Sequence, residues 1–234
     1  MKKRLTDLAQ ERPRYGYRRL EILLRREGEV VNHKRVFRVY QDAGLCVKRR
    51  QRKRLLRAGH PQLTASAPNQ QWAIDFVHDR LAGGRTIRVL TVVDTFTREC
   101  LALEVDSCLP SQRVTRALDQ IIFERGRPDS IRMDNGSELT SRHFLAWGMD
   151  RRISLNYIQP GKPVQNAFAE SFNGKLRDEC LNTNWFVNLW EARRRIQLWR
   201  DDYNNQRPHS SLGYLTPSQF ADAFSAQEKA VLQI

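Results

Sequence analysis

Three carboxylates stand where the local sequence offers no ordinary use for one. Asp75 interrupts the apolar run WAIDFV at residues 72–77, on the strand face it shares with Ala73 and Val77. A charge there is costly unless it is paired, bound to a metal, or turned to water at a sheet edge. Asp134 follows the strand-like SIRM (130–133) and opens Asp134-Asn135-Gly136, which turns the chain tightly. Strand ends in α/β sheets commonly hold ligands, although the same tripeptide also makes plain turns. Glu170 lies in a helical segment from about residue 165 to 180. At ~100° per residue it shares a narrow polar arc with Asn166, Asn173 and Arg177, opposite much of the Phe168, Phe172, Leu176 stripe. A solvated face explains such an arc. The two asparagines lower helix propensity, however, and stand where they can order water, metal or DNA beside a carboxylate.

Carboxylates on adjacent strands and a facing helix suit hard divalent cations. Mg²⁺ takes oxygen ligands and keeps several waters, so few protein groups are needed. Two such ions roughly 3.5–4 Å apart activate an attacking oxygen and stabilise a leaving one, as in-line displacement at a phosphodiester requires. Histidine is dispensable for this, and His33, His60, His78, His143 and His209 have no metal-ligand spacing. Cys46, Cys100, Cys108 and Cys180 have no paired spacing either, which argues against a zinc ribbon or disulfide scaffold.

The elements that must position the acids follow from periodicity. Residues 72–77, 86–93 and 100–105 read as strands, the first two joined at Gly83-Gly84, and the short connections predict antiparallel neighbours. Val114, Ala117, Leu118, Ile121 and Ile122 predict a helix capped by Ser111 and closed by Gly126 and Pro128. A strand at 130–133, a helix near 141–148 and a strand at 153–158 follow, then the helix of Glu170. A long helix starts at Asn188, where Glu191 resembles a capping box. The order predicts an α/β fold with a mixed sheet covered by helices. Trp72, Trp185, Trp190 and Trp199 are expected in the core. Residues 206–220 read as turns.

Charge separates a second function from this body. The chain has 234 residues and a net charge of +14, and residues 1–60 hold 19 Lys+Arg against 6 Asp+Glu. Two short amphipathic helices within residues 15–45, with Asn32 as a cap and Gly28 and Gly44 as stops, suit a helix-turn-helix-like unit. Residues 48–57, KRRQRKRLLR, carry seven positive charges. Arg18, Arg19, Lys34, Arg35, Arg49 and Arg50 are the candidate DNA contacts, by the electrostatics of basic stripes. No apolar run approaches a membrane span and the N-terminus lacks the apolar stretch of a signal peptide, so a cytoplasmic protein is expected.

Asp75, Asp134 and Glu170 form D-x58-D-x35-E. This resembles the D,D(35)E pattern of retroviral integrases and related transposases. The words NQQWAIDFV, RVLTVVDTFTREC, RMDNGSELTS, PGKPVQNAFAESFNGKLRDECLN and YNNQRPHSSLGYLTPSQF resemble the OrfB-type catalytic chain of the insertion-sequence-three family. RYGYRRLEILLRREG and VNHKRVFRVYQDAGL are similar to that family's helix-turn-helix-like segment. Leu139 stands where the family often has an aromatic, and GKPVQNA lacks the commoner Asp before Asn-Ala. The resemblance implies a helix-turn-helix-like segment at 1–46, a basic linker at 47–67, a ribonuclease-H-like integrase core at 68–185, and a C-terminal helix and tail at 186–234. It implies two Mg²⁺ or Mn²⁺ ions on the acidic triad, and strand cleavage followed by attack of a 3′-hydroxyl on another phosphodiester. It further implies Lys162 and Asn166 as DNA contacts, Asn135 and Gly136 as the metal-side turn, and element ends and target DNA as partners. A homo-multimer on DNA, the upstream-frame protein or its fusion, and association with the bacterial nucleoid belong to the same expectation. The alternatives are a non-catalytic DNA-binding regulator and a plain ribonuclease-H-type nuclease.

Overall fold

The computed structural model describes residues 1–47, 65–159 and 166–231. Two compact units divide the chain: Met1–Pro61 with Arg207–Thr216, and Gln62–Gln206 with Pro217–Ile234.

In the first unit, α1 (Lys2–Glu11), α2 (Tyr17–Arg26) and α3 (His33–Asp42) share one core. Leu5, Leu8, Leu20, Leu24, Val36 and Tyr40 fill it. Asn32 caps α3 as expected, its Oδ1 accepting the Lys34 N–H at 2.9 Å. Helix α1 is not expected from sequence, because only Leu5 and Leu8 among its mostly polar residues are buried and two positions make no visible period. The chain returns to this unit through Arg207–Thr216. That segment closes on itself: the His209 N–H donates to Leu215 O at 3.0 Å and the Tyr214 N–H to His209 O at 2.8 Å. Arg26 Nη2 donates to Tyr214 O at 3.2 Å, and Arg207, His209 and Thr216 are buried. The part of the tail that reads as surface turns is therefore built into the N-terminal helical unit.

In the second unit, β1 (Gln71–Arg80), β2 (Thr86–Asp94) and β3 (Cys100–Asp106) form an antiparallel meander. Strand β4 (Ser130–Met133) pairs parallel with β1, and β5 (Ser154–Tyr157) parallel with β4, giving the order β3-β2-β1-β4-β5. The mixed sheet matches the expectation. Helices α4 (Ser111–Arg125) and α5 (Arg142–Asp150) cover one face, where Trp72, Ile74, Leu90 and Val92 meet Val114, Leu118 and Phe144. Helices α6 (Ala167–Glu179) and α7 (Leu189–Asn205) cover the other, where Val77, Val89, Leu103 and Val105 meet Phe172, Leu176, Ile196 and Tyr203. The period of two along each strand sorts the side chains between these layers.

Some details depart from expectation. Pro110, not Ser111, caps α4, with its φ of −66° already suited to a helix entry. Helix α8 (Pro217–Val231) follows the tail loop, and its Phe220 and Phe224 rings lie 5.4 and 4.9 Å from that of Phe96. Trp72 and Trp199 are buried, but Trp185 and Trp190 are 77% and 69% exposed. Trp190 sits beside, not on, the α7 seam of Ala192, Ile196, Trp199 and Tyr203. The open edge of β3 is sealed by α7, with Arg200 Nε donating to Cys100 O at 3.0 Å and Arg193 Nε to Val105 O at 2.9 Å.

Candidate active site

The parallel pairing of β1 with β4 sets Ala73 level with Arg132. Asp75 and Asp134 each lie two residues further along the two parallel chains, Asp75 within β1 and Asp134 in the turn after β4. β1 is an inner strand, which removes the edge-strand explanation for Asp75. Across β2, Asp75 faces Thr91, whose Oγ1 donates to Asp75 O at 3.1 Å. Asp134 is the first residue past β4, and its Oδ1 accepts the Gly136 N–H at 3.0 Å. A Cβ at Gly136 would stand 3.1 Å from that oxygen, so glycine permits the close approach. Asn135 Nδ2 donates to Ile158 O at 2.9 Å and ties the turn to the end of β5.

Helix α6 is fastened to β1 along the arc that carries Glu170. Asn166 Nδ2 donates to Ile74 O at 3.1 Å, and Asn173 Nδ2 donates to Asp75 Oδ2 at 2.8 Å. Arg177 Nη1 reaches His78 O at 3.5 Å. The arc is therefore only partly solvated: Asn166 is 3% and Asn173 9% exposed, while Glu170 and Arg177 are exposed. Asn166, expected as a DNA contact, turns its amide nitrogen to the sheet. Asn166 Oδ1 and Asn173 Oδ1 are buried without a hydrogen-bond partner among the described residues.

The electrostatics link the three acids. The Asp75 carboxyl is pushed up to about 6, chiefly by burial, with the charges of Asp134 and Glu170 adding to it. The N–H of Phe76, 2.8 Å from Oδ1, and the Asn173 amide oppose the rise. Among the described residues no three His, Cys, Asp or Glu side chains are drawn closely enough together to hold a metal ion. The acids sense one another without closing into a cage. The donor set fits a hard cation nonetheless: uncompensated carboxylate charge beside unsatisfied amide oxygens. Glu138, four residues past Asp134, differs. Its pairing with Arg88 holds its carboxyl down to about 2, and Arg88 in turn lies over the Phe76 ring at 4.3 Å.

Of the candidate DNA contacts, Arg18, Lys34 and Arg35 are exposed and Arg19 is half-buried, all on α2 and α3. Arg49, Arg50, Lys162 and the block 48–57 lie outside the described residues. Tyr17, Arg18, Arg19, Tyr40, Ser210 and Tyr214 line a cleft of about 580 Å³ in the helical unit. No local pattern marks Ser210 and Tyr214 for this place; only the return of the chain brings them there.

Residues 65–163 and 151–217 match models of the integrase core domain, and residues 2–53 match an HTH-like domain. The chain is 51% identical over 219 residues to a 31.7 kDa protein of insertion element IS407 from Burkholderia multivorans, covering 93% of this chain and 79% of that one. It is 50% identical to a 39.2 kDa protein of insertion element IS476 from Xanthomonas euvesicatoria, covering 96% of this chain and 65% of that one. Transposase InsF of IS3A from Escherichia coli is 28% identical, over 92% of this chain and 80% of that one. Among solved structures, a simian T-cell lymphotropic virus intasome chain aligns over 93% of this chain and 74% of its own, with TM-score 0.60 and 18% identity. The HTLV-2 integrase catalytic core aligns over 67% of this chain and 98% of its own, with TM-score 0.55 and 20% identity. These likenesses give the sheet its class, the ribonuclease-H-like integrase fold. With half of its residues identical to the IS407 protein and an HTH-like domain ahead of an integrase core, the chain belongs to the insertion-sequence-three family of transposases.

Proposed function

We propose that this chain is the catalytic subunit of an insertion-sequence transposase, with Asp75, Asp134 and Glu170 as its metal-binding and catalytic residues. One observation carries the reading: an aspartate within an inner strand, hydrogen-bonded from the helix that carries Glu170, and raised chiefly by burial, with the charges of Asp134 and Glu170 adding to it. The HTLV-2 integrase core, which shares the fold, is described in complex with magnesium. Two Mg²⁺ or Mn²⁺ ions on the triad would supply activation of the attacking oxygen and stabilisation of the leaving one. The protein's own groups hold the acids in place: Asn173 and the Phe76 N–H orient Asp75, the Gly136 N–H orients Asp134, and α6 presents Glu170. The reaction is hydrolysis of a phosphodiester at the element end, then attack of the freed 3′-hydroxyl on a second phosphodiester. One phosphorus–oxygen bond forms and one breaks at each step, with no covalent protein–DNA intermediate.

In this reading residues 1–46 and the basic linker 47–67 contact element ends, 68–185 form the catalytic core, and 186–234 supply the C-terminal helix and tail. DNA, further copies of the chain and the upstream-frame protein are its partners, in the bacterial cytoplasm. No helix among the described residues is long and apolar enough to cross a membrane.

A joining assay with pre-cut ends and Mg²⁺ tests the proposal. Asp134→Asn should abolish joining while DNA affinity stays equal or rises, because a charge that repels phosphate is removed. Joining by that variant would overturn the assignment. A regulator would bind ends without joining them, and a simple nuclease would cut without strand transfer.

A further inference from the structure

The turn between β2 and β3 runs Asp94-Thr95-Phe96-Thr97-Arg98-Glu99 and is held by its first residue. Asp94 Oδ1 accepts the N–H groups of Phe96 at 2.8 Å and Thr97 at 3.0 Å, and the Arg98 N–H donates to Asp94 O at 3.0 Å. Arg98 is left at φ +65°, in the left-handed region that favours glycine. The residue is half-buried. The guanidinium carbon stands 4.0 Å from the centroid of the Phe168 ring, and Nη1 is buried with no hydrogen-bond partner among the described residues. A strained backbone and an unsatisfied buried donor both oppose this placement. What the side chain gains is the face of Phe168.

Phe168 is the second residue of α6 and lies two before Glu170. Among the described residues, no side-chain hydrogen bond caps the start of that helix. Its first turn is held to the sheet by the Asn166 bond to Ile74 O and by Phe168 under Arg98. Locking the Phe168 ring fixes the rotation of the first turn, and with it the direction of Glu170. We propose that Arg98 is a positioning residue for Glu170, acting through its stack on Phe168. The inference rests on the reading of Glu170 as part of the metal-binding triad.

The test uses the full chain. In the metal-free protein, Arg98→Ala and Phe168→Leu should each speed amide hydrogen exchange over residues 168–172 about tenfold, the size a desolvated cation–π interaction supports. Exchange in β1 and β2 should not change. With pre-cut ends, the Mg²⁺ concentration for half-maximal joining should rise several-fold while DNA affinity holds. Phe168→Tyr, which keeps the ring face, should behave as the wild type, and the double variant Arg98→Ala/Phe168→Leu should be no worse than the worse single one. Unaltered exchange in α6, exchange that rises equally across the sheet, or an unmoved Mg²⁺ midpoint would overturn the proposal. If Arg98→Ala fails to fold, the contrast between Phe168→Leu and Phe168→Tyr decides it by the same readouts. Glu170→Gln separates the two claims: joining by that variant would sink the catalytic reading, while hydrogen exchange would still judge the Arg98–Phe168 stack.

Discussion

Asn173 and Asp75 meet across 2.8 Å, a helix amide donating to a strand carboxylate 98 residues earlier in the chain. Glu170 precedes Asn173 by three residues, so one hydrogen bond sets both the angle of Asp75 and the face that α6 turns to it. Asn173→Leu removes the donor at similar volume. Joining should fall about 10- to 100-fold, since a hydrogen bond to a charged group contributes roughly 1.5–3 kcal/mol. Activity within twofold of wild type in the same assay would show that the bond does not orient the carboxylate.

Asp75 makes the metal-free protein less stable than its fold allows. Its folded value of about 6 exceeds the ordinary 3.8, so the folded state holds the proton more tightly. Stability is therefore lost as pH rises from about 4 to about 6, and the deficit is complete above that. Asp75→Asn should raise Tm at pH 7.5 in chelator, and the gain should fade towards pH 4. Mg²⁺ should raise the Tm of the wild type and not of this variant. A lower Tm for Asp75→Asn at pH 7.5 would contradict the burial argument.

Gly148 lets α5 lie close on β5. A Cβ there would stand 2.8 Å from Leu155 Cδ1, 3.0 Å from Cγ and 3.2 Å from Cδ2, so the whole branch must shift. Gly148→Ala gains helix propensity but should still lose about 1–2 kcal/mol net to overpacking, lowering Tm by a few degrees. Leu155→Val in that background removes the two Cδ atoms and should recover part of the loss. Thermal melts of the three variants check this.

The block 48–57 concerns affinity alone. Neutralising its seven positive charges should weaken binding to all DNA sequences alike. The slope of log K against log salt should flatten by about 0.9 for each phosphate that the block no longer neutralises. An unchanged slope in a salt titration would show that the block does not track phosphates.

The core strands are legible because 72–77, 86–93 and 100–105 are short, nearly continuous apolar runs, as strands covered on both faces must be. The Asn188 cap of α7 is legible because capping is local, and Asn188 Oδ1 does accept the Glu191 N–H at 2.9 Å. Helix α1 is not, since three-helix packing and not its own pattern buries Leu5 and Leu8. Trp185 and Trp190 mislead because tryptophan is apolar on average, while exposure depends on where the segment before α7 runs and which way α7 is rolled. Asn166 and Asn173 are legible in part: their types mark a place beside a carboxylate, which Asn173 takes, while the bond of Asn166 to Ile74 O depends on the strand under the helix.

By itself the chain specifies which residues bear charge, which form apolar runs, and that D-x58-D-x35-E recurs with the family's flanking words, because these depend on near neighbours and spacing. Tertiary structure alone decided that Asp75 is on an inner strand within reach of the charge of Asp134, that Asn173 reaches it, that Arg98 lies on Phe168, and that Arg207–Thr216 closes onto the first helices. Each of these joins residues tens to hundreds of positions apart, and such contacts arise from the pairing register and the packing of layers, which no local pattern of side chains encodes.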